Sequence, residues 1–290
     1  MEKILVTGGA GFIGSNLIQS LINIENIRIV SLDNYYTGKV ENHHKSNKVK
    51  YVKGSTWDID KIFKKNDFDV IYHFGEYSRI VYSFDDIEFV SKSIGHGTAK
   101  VLNFAISNNS KFIYSASSSK FGNNEKDKNL SPYAFLKAMN VDLIKNYSNW
   151  FNLNYEIVYF FNVYGKNHIK AGKYATVIAI FEEQYKKDLP LTVVSPGTQS
   201  RDFTHIDDII SGLLLISNNN LNHEWHLRSG TNVPILELVK YFDCNHMIIP
   251  ERRGERFTSE EFYSDTNKLI GWNAKISLKD YVSEFKESLK

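Results

Sequence analysis

Features that mark secreted or membrane-bound proteins are scarce in this sequence. The single cysteine, Cys244, excludes an internal disulfide and suits a reducing compartment. No apolar run approaches the roughly 18 residues that cross a bilayer, and the chain begins directly with an apolar strand, so we expect neither a membrane anchor nor a signal peptide. A cytoplasmic location is the resulting expectation.

The sequence also lacks the patterns of nucleic-acid-binding and metal-binding proteins. Its formal net charge of +2 is spread without a basic block, so neither nucleic acid nor a membrane surface is an expected partner. Its nine histidines form no H-E-x-x-H pattern and no Cys/His cluster, and the adjacent rings of His43 and His44 cannot both face one ion on most backbones. We therefore predict no metal and expect small, soluble partners.

A glycine-rich turn lies between a strand and a helix near the start of the chain. The apolar strand from Lys3 to Thr7 runs into Gly8-Gly9-Ala10-Gly11-Phe12-Ile13-Gly14, where Gly9, Gly11 and Gly14 satisfy G-x-G-x-x-G. Missing Cβ atoms permit a tight turn and a close approach of backbone N–H groups to a pyrophosphate, which the N-terminus of the following helix also favours. The segment predicts a dinucleotide site.

An acidic residue ends the next apolar strand. Asp33 follows Arg28-Ile29-Val30-Ser31-Leu32 and lies 19 residues beyond Gly14. A carboxylate in this place accepts hydrogen bonds from both hydroxyls of an adenosine ribose and repels a 2′-phosphate. The expected cofactor is therefore NAD and not NADP.

Short apolar runs alternate with helix-length segments through the first half of the chain. The runs lie at 49–53, 69–74, 111–115 and 155–161, and the helical segments lie near 58–66, 85–107 and 132–150. This alternation predicts an α/β fold built on a Rossmann-type, doubly wound parallel sheet.

The alternation of strands and helices becomes less regular beyond Gly165. The pieces there are a helix near 174–187, a strand at 191–194 and a helix at 207–216. We expect them to form a smaller C-terminal lobe over the carboxyl ends of the strands, where the ligands of such sheets bind.

A tyrosine and a lysine stand one helical turn apart in Ser131-Pro132-Tyr133-Ala134-Phe135-Leu136-Lys137. Ser131 is a good N-cap and Pro132 a good first helical residue, so Tyr133 and Lys137 share a helix face. A phenol is a poor base at neutral pH, but a nearby Lys⁺ and an oxidised nicotinamide stabilise its phenolate form. Tyr133 is predicted to take a proton from a substrate hydroxyl while hydride leaves the same carbon, and Lys137 could also hold the nicotinamide ribose.

A serine run, Tyr114-Ser115-Ala116-Ser117-Ser118-Ser119-Lys120-Phe121-Gly122, follows a predicted buried strand and so lies at the same sheet edge as the glycine turn. One of its hydroxyls can steer a substrate. Together the glycine fingerprint, the serine run and Tyr133/Lys137 resemble the extended short-chain dehydrogenase/reductase family, in particular its NAD-dependent nucleotide-sugar epimerases and dehydratases, such as UDP-glucose 4-epimerase-like enzymes. The resemblance covers nearly the whole chain and places Ser117 at the family's catalytic Ser/Thr position.

The resemblance extends beyond Gly165. Phe161-Asn162-Val163-Tyr164-Gly165 is similar to the family's F-N-V-Y-G, and Arg201-Asp202-Phe203-Thr204-His205-Ile206-Asp207-Asp208 to its R-D-F-x-H-x-D-D, whose Arg grips a pyrophosphate. Arg252 resembles a second phosphate-gripping Arg, and Glu255 a ribose-binding acid. The resemblance implies a domain 1–165 that binds NAD and also receives segment 203–226, and a lobe 166–290 that binds the nucleotide sugar.

Besides the catalytic Ser117, Tyr133 and Lys137, the resemblance implies which residues bind NAD and which bind the nucleotide sugar. The residues expected to contact NAD are Gly8, Gly11, Phe12, Ile13, Gly14, Asp33, Asn34, Ser55, Thr56, Phe74, Gly75 and Lys137. Those expected to contact a GDP-, UDP- or dTDP-linked sugar are Ser78, Arg79, Ser118, Asn162, Thr176, Arg201, Arg252 and Glu255.

Two departures from the family pattern bear on the chemistry. The 4,6-dehydratases follow their catalytic Thr with Asp-Glu, and here Ser118 and Ser119 stand in those places; hydroxyl groups cannot replace that acid and base, so dehydration is disfavoured. The segment from His73 to Arg79 replaces an alanine-rich turn beside the cofactor. Its Glu76 and Arg79 form an internal salt bridge or read an unusual sugar.

We therefore predict an NAD-dependent oxidoreductase that acts at C4 of a nucleotide-activated sugar in the synthesis of bacterial surface-polysaccharide sugars. The 4-keto sugar either rotates and takes hydride back on its other face, giving a 4-epimer, or leaves, giving a 4-dehydrogenase. A catalytically silent NAD-binding protein is the alternative from another class, and the intact set Ser117, Tyr133 and Lys137 counts against it.

In the resembling family two long helices pair with their symmetry mates in a four-helix bundle. The helices near 85–107 and 132–150 carry apolar residues at Val101, Leu102, Leu136, Met139, Leu143 and Tyr147. A homodimer, or a larger assembly built on it, is the expected state.

Overall fold

A computed structural model describes residues 1–65, 67–122, 126–254 and 265–290. The strands are β1 (Glu2–Thr7), β2 (Ile27–Asp33), β3 (Val49–Lys53), β4 (Val70–His73), β5 (Lys111–Ser117), β6 (Tyr155–Phe160), β7 (Asn162–Tyr164), β8 (Leu191–Val194), β9 (Ser200–His205), β10 (Glu224–Leu227), β11 (Asn232–Pro234) and β12 (His246–Ile249). The α-helices are α1 (Phe12–Leu21), α2 (Ile59–Ile62), α3 (Ile87–Val90), α4 (Gly97–Asn108), α5 (Pro132–Phe151), α6 (Val177–Lys186), α7 (Ile206–Ser217), α8 (Ile235–Phe242) and α9 (Leu278–Glu287). A π-helical segment, Ser91–His96, joins α3 to α4, and short 3₁₀ turns lie at Val40–Asn42, Thr56–Asp58, Val81–Phe84, Ser118–Lys120, Lys126–Asn129 and Asp265–Ile270.

Seven strands form a parallel sheet in the order β10-β6-β5-β4-β1-β2-β3. The chain runs outward from β1 to β3 on one side and from β4 to β6 on the other, so the order reverses between β1 and β4. Such a reversal opens a crevice at the carboxyl ends of the strands, where ligands bind in doubly wound sheets. The predicted Rossmann-type α/β fold is confirmed.

The sheet is apolar on both faces because helices cover both. Successive side chains of a strand point to opposite faces, and in β1 Val6 packs with Leu17 of α1 and Ile209 of α7. Its neighbour Leu5 packs on the other face with Val101 of α4 and with α5. This double cover fixes the strand ends, from which the turns that line the crevice project.

The C-terminal part builds a smaller core beside the crevice. Strand β9 pairs with β7 and β11 in a three-stranded sheet, and β8 pairs with β12. Helices α6, α8 and α9 pack together around Phe181, Leu238, Phe242 and Val282. Strand β10 returns to the large sheet and pairs with β6.

Several predicted elements have different bounds in the structure; the helix near 174–187, for example, begins at Val177. The helix near 58–66 ends at Ile62, because Phe63 has an extended backbone and packs edge-on against Phe68 at 5.2 Å between ring centroids. The helix near 85–107 begins at Ile87 and contains the π-helical segment. The strand at 155–161 ends at Phe160, since the next residues pair with β9.

None of the helices in the described parts of the chain combines the length and the apolar character needed to cross a membrane.

Candidate active site

A cavity of about 500 Å³ opens at the carboxyl ends of the central strands. It is lined by the turns after β1, β2, β4 and β5, by the start of α5, and by side chains from the segment between β7 and β9. With one exception, every residue that the sequence analysis assigned to catalysis, cofactor or substrate lines this cavity; the exception, Glu255, lies outside the described residues. Within the described residues, no group of three His, Cys, Asp or Glu side chains could hold a metal ion.

The glycine turn after β1 brings three backbone segments together. Gly8 has a φ of +72°, and a Cβ on it would lie 2.8 Å from the backbone nitrogen of Gly75. A Cβ on Gly14 would lie 2.3 Å from the carbonyl oxygen of Gly8. Helix α1 begins at Phe12 behind Gly11, which has no side chain to cap the first-turn N–H groups. These amides therefore face the cavity as a site for a pyrophosphate.

Asp33 closes β2 beside the glycine turn. Its Oδ2 accepts the N–H of Ala10 at 2.9 Å, and its Oδ1 accepts the N–H of Tyr35 at 2.8 Å. Burial raises the pKa of the Asp33 carboxyl, and hydrogen bonds from the backbone of Tyr35 and Ala10 oppose that rise. The carboxylate is thus held by the backbone in the orientation that a ribose acceptor requires.

Tyr133 and Lys137 stand in the first two turns of α5. The helix starts behind Ser131, whose Oγ accepts the N–H of Ala134 at 3.1 Å. Tyr133 is half-buried at the cavity wall, whereas Lys137 is almost fully buried. Lys137 Nζ donates to the carbonyl oxygen of Ser115 and to Oε2 of Glu76. The lysine is therefore held between β5 and the turn after β4.

Glu76 is the counter-ion of Lys137. Its side chain is 2% exposed, and its Oε1 accepts the hydroxyl of Thr98 at 2.6 Å and the amide N–H of Asn140 at 3.2 Å. The expected salt bridge between Glu76 and Arg79 is wrong, because Lys137 takes the Glu76 carboxylate. Arg79 lines the cavity separately.

His73 supports the hydrogen-bond network around Glu76. Burial lowers its pKa to about 4, so the imidazole is neutral at pH 7. Its two ring nitrogens lie 2.8 Å from Thr7 Oγ1 and 2.9 Å from Thr98 Oγ1. The ring links the end of β1 to the start of α4 and so fixes Thr98 against Glu76.

The serine run turns back on itself directly after β5. Ser117 Oγ accepts the backbone N–H of Ser119 at 3.2 Å and the Ser119 hydroxyl at 2.9 Å. Because these two donors occupy the acceptor side of the Ser117 oxygen, its own proton is available to a ligand oxygen in the cavity. Ser119 was not among the predicted site residues, although its spacing of two residues from Ser117 is typical of such a turn.

The C-terminal part contributes the opposite wall. Thr176 caps α6 by accepting the N–H of Ala179 at 3.4 Å, and Asn162 Nδ2 donates to the carbonyl oxygen of Asp202 at 3.1 Å. Arg201 donates from Nη1 to the carbonyl oxygen of Ser200 at 2.8 Å, and Arg252 also reaches the cavity.

Sequence reasoning missed an aromatic wall beside Tyr133. Its members are Tyr36, Tyr77, Tyr82, Phe89 and Tyr174, all of which line the cavity. The hydroxyls of Tyr36 and Tyr174 lie 2.7 Å apart, which joins the turn after β2 to the C-terminal part. The only sequence signal is that tyrosines recur just beyond the ends of β2 and β4, where a ligand-binding turn was expected.

A family model described as "NAD dependent epimerase/dehydratase family" matches residues 4–226, more than half of the chain. The chain belongs to this family. The matched segment runs from β1 to β10 and contains the glycine turn, Ser117, Tyr133 and Lys137. The resemblance to the extended short-chain dehydrogenase/reductases is thereby confirmed, and with it NAD as the cofactor.

Individual family members are similar over most of the chain. A putative UDP-glucose 4-epimerase of Methanocaldococcus jannaschii is 29% identical over 96% of this chain and 95% of its own. A UDP-N-acetyl-alpha-D-glucosaminuronate decarboxylase of Bacillus cytotoxicus is 28% identical over 77% of this chain and 73% of its own. The solved structure of UDP-glucose 4-epimerase from Thermotoga maritima with UDP-glucose has a TM-score of 0.90 and 25% identity, and the match covers 99% of this chain and 100% of that one.

The described residues fit the cofactor of the epimerase/dehydratase family. Gly8 and Gly14 leave no Cβ in the turn where the pyrophosphate would pass, and the N–H groups of α1 face that turn. Asp33 stands at the end of β2, where its carboxylate would accept the ribose hydroxyls, and Phe74 and Gly75 line the same cavity from the turn after β4.

Replacing Asp33 by Asn should reduce the preference for NAD over NADP by roughly tenfold or more, because a unit charge a few ångströms from a 2′-phosphate is removed. The affinities of both cofactors for both proteins are measured by calorimetry. The preference of the natural protein should also weaken as pH falls, since burial raises the pKa of Asp33 and its negative charge is lost earlier than that of an exposed aspartate.

Asp58→Asn is a suitable control, because Asp58 is a more exposed carboxylate paired with Lys61. It should leave the ratio of the two affinities unchanged. Equal affinity of the natural protein for NAD and NADP at neutral pH would contradict the role assigned to Asp33.

Proposed function

We propose that this protein oxidises C4 of a nucleotide-linked sugar, as a 4-epimerase or a 4-dehydrogenase. The observation that carries this proposal is the meeting of Ser117 and Tyr133 with the glycine turn of β1 in one cavity. A base and a hydrogen-bond donor are thus available beside the cofactor site, which is what removal of a hydroxyl proton together with a hydride requires.

Each polar group has a distinct part in this reaction. Tyr133 takes the proton of the sugar hydroxyl, and Ser117 donates its free proton to the same oxygen and holds it in place. Lys137, fixed by Glu76 and the Ser115 carbonyl, lies at the cofactor side of the cavity. NAD, when bound, supplies the acceptor for the hydride of C4.

Loss of water from the sugar is disfavoured by the serines that follow Ser117. Ser118 and Ser119 are both buried, and Ser119 donates its hydroxyl to Ser117. Serine hydroxyl groups are much too weak as acids and as bases near neutral pH to serve as the acid and base of an elimination. A 4,6-dehydratase activity is therefore the disfavoured alternative.

A nucleotide diphosphate fits the C-terminal wall. Arg201 and Arg252 line that side of the cavity, and a guanidinium can grip a phosphate with two parallel hydrogen bonds. Relatives are named for UDP-linked substrates, and a UDP-, dTDP- or GDP-linked sugar is the substrate class that we propose. The unusual turn after β4 favours a specialised enzyme of bacterial surface-polysaccharide synthesis, with residues 166–290 as the substrate-binding lobe.

A homodimer built on α5 stays a prediction. Val101 and Leu102 cannot contribute to it, since both are fully buried within the subunit. The apolar residues that α5 exposes are Phe135, Met139, Trp150 and Phe151, and these suit a contact between two copies of the helix.

The proposal is tested by incubating the enzyme with UDP-, dTDP- and GDP-sugars and following NADH absorbance and sugar products by NMR. An epimerase should give a C4-inverted sugar without lasting NADH, and a dehydrogenase should build up NADH in step with a 4-keto sugar that keeps its C6 oxygen substituents. A 6-deoxy-4-keto product would overturn the interpretation of Ser118 and Ser119. Failure to turn over any nucleotide sugar would instead favour a silent NAD-binding protein.

A further inference from the structure

Arg79 is a cation in the cavity wall that has no counter-ion among the residues described. It follows β4 on the turn that leads to Val81–Phe84, and its side chain is half-buried. Its Nε is shielded from solvent and has no hydrogen-bond partner. An N–H group in this state has lost its water without gaining a protein acceptor, which costs free energy unless a ligand supplies one.

Two other cations of the cavity wall are paired with carboxylates. Lys137 is bound to Glu76, and Lys173 lies 3.5 Å from Asp86. Arg79 instead lies close to phenol groups, namely that of Tyr133 and those of Tyr174, Tyr77 and Tyr82 in the aromatic wall. Burial accordingly lowers the pKa of the Arg79 guanidinium, although an arginine keeps its proton under all ordinary conditions.

The neighbours of Arg79 decide which part of a ligand it meets. The cofactor phosphates are assigned to the amides of α1, and the substrate pyrophosphate to Arg201 and Arg252. Arg79 stands beside Tyr133, the proposed base, and therefore beside the reacting sugar carbon. A hexose bound with C4 at Tyr133 places C6, two bonds away, in the same region.

We propose that Arg79 binds a carboxylate at C6 of the sugar, so that the preferred substrate is a nucleotide-linked hexuronate. The planar fork of a guanidinium matches both oxygens of a carboxylate, whereas the single hydroxyl of an ordinary hexose fills one arm and leaves the charge uncompensated. This inference rests on the proposed action at a nucleotide sugar, and it makes Arg79 a specificity-determining residue.

The test compares matched substrate pairs that differ only in the oxidation state of C6. UDP-glucose and UDP-glucuronate, dTDP-glucose and dTDP-glucuronate, and GDP-mannose and GDP-mannuronate are the probes. For at least one pair the natural enzyme should show a higher kcat/KM for the uronate. Arg79→Met should lower the uronate-to-hexose ratio roughly 10- to 100-fold, the usual worth of a charge-assisted hydrogen bond, and Arg79→Lys should lower it less.

Arg28→Met is the matched control, because Arg28 is exposed near the start of β2, at the opposite edge of the sheet. It should leave the ratio unchanged. If Arg79→Met does not fold, the preference of the natural enzyme and the Arg79→Lys ratio still decide the matter. A natural enzyme that favours the hexose in every pair overturns the proposal, as does an Arg79→Met ratio equal to that of the natural enzyme. So does a loss of NAD affinity without a change in the ratio, which would assign Arg79 to the cofactor.

Equilibrium binding separates failure of this inference from failure of the proposed function. Calorimetry with the NAD-loaded protein needs no turnover, so uronate and hexose can be compared even if C4 is never oxidised. Selective uronate binding that Arg79→Met abolishes, without turnover, would support the Arg79 site and refute the C4 chemistry. Turnover of a hexose without uronate selectivity would do the reverse.

Discussion

Tyr133→Phe should lower kcat for the nucleotide sugar that the panel identifies by about 10²- to 10⁴-fold, the range over which a positioned general base accelerates proton transfer. The variant keeps the ring that packs in the aromatic cluster with Tyr77 and Tyr174. Affinities for NAD and for the sugar nucleotide should therefore stay close to those of the natural protein. Calorimetry measures the affinities, and product formation in single-turnover experiments measures the rate.

Tyr147→Phe is the control for this experiment. Tyr147 lies on the same helix and donates to Asn103 at 3.2 Å, on the helix surface and not at the cavity. Its loss should leave kcat unchanged. Ser117→Ala should cost less than Tyr133→Phe, because in the proposed mechanism Ser117 orients the sugar oxygen and does not accept its proton. A Tyr133→Phe enzyme that works at the natural rate would remove Tyr133 from the mechanism.

Local patterns in the sequence were sufficient to predict that the glycine turn and Asp33 lie together at one ligand-sized cavity. The glycines after β1 and Asp33 at the end of β2 are separated by one helix, and each is tied to a backbone requirement: a turn without Cβ atoms, or a carboxylate at a strand end. The alternation of strands and helices likewise predicts the parallel sheet, since each apolar run must be covered on both faces. These inferences need only neighbours in the chain.

The environment of Lys137 could not be predicted in this way. Glu76 is 61 residues away in the chain, and the two meet only because the turn after β4 packs against the first turns of α5. Charge pattern alone favoured the nearer partner, Arg79. The burial of Val101 and Leu102 within the subunit could not be predicted either, because an apolar helical face does not reveal whether the subunit's own core or a second copy covers it.

The burial of Glu76 and Lys137 makes stability depend strongly on the pair. Glu76→Ala leaves the Lys137 ammonium buried beside the Ser115 carbonyl without a counter-ion, and it also removes the acceptor of Thr98 and Asn140. Breaking a buried ion pair in this manner costs about 3–5 kcal/mol, a large part of the roughly 5–15 kcal/mol by which proteins are stable. Denaturant unfolding of the cofactor-free protein should show this loss in the free energy of unfolding.

Removal of both charges should be less harmful than removal of one. In Glu76→Ala/Lys137→Met neither charge of the pair is left in the core, so we expect the double variant to be more stable than Glu76→Ala. The loss of stability in the double variant should then be smaller than the sum of the two single losses. Lys100→Met provides the matched control, since Lys100 pairs with Asp60 at an exposed site, where such pairs contribute little. If the losses of Glu76→Ala and Lys137→Met simply add, the two side chains act independently, and Glu76 does not hold the lysine at the cofactor side of the cavity. A double-variant loss smaller than the sum of the single losses would support the inference that the carboxylate after β4 positions Lys137, a role that the sequence pattern around either residue does not reveal.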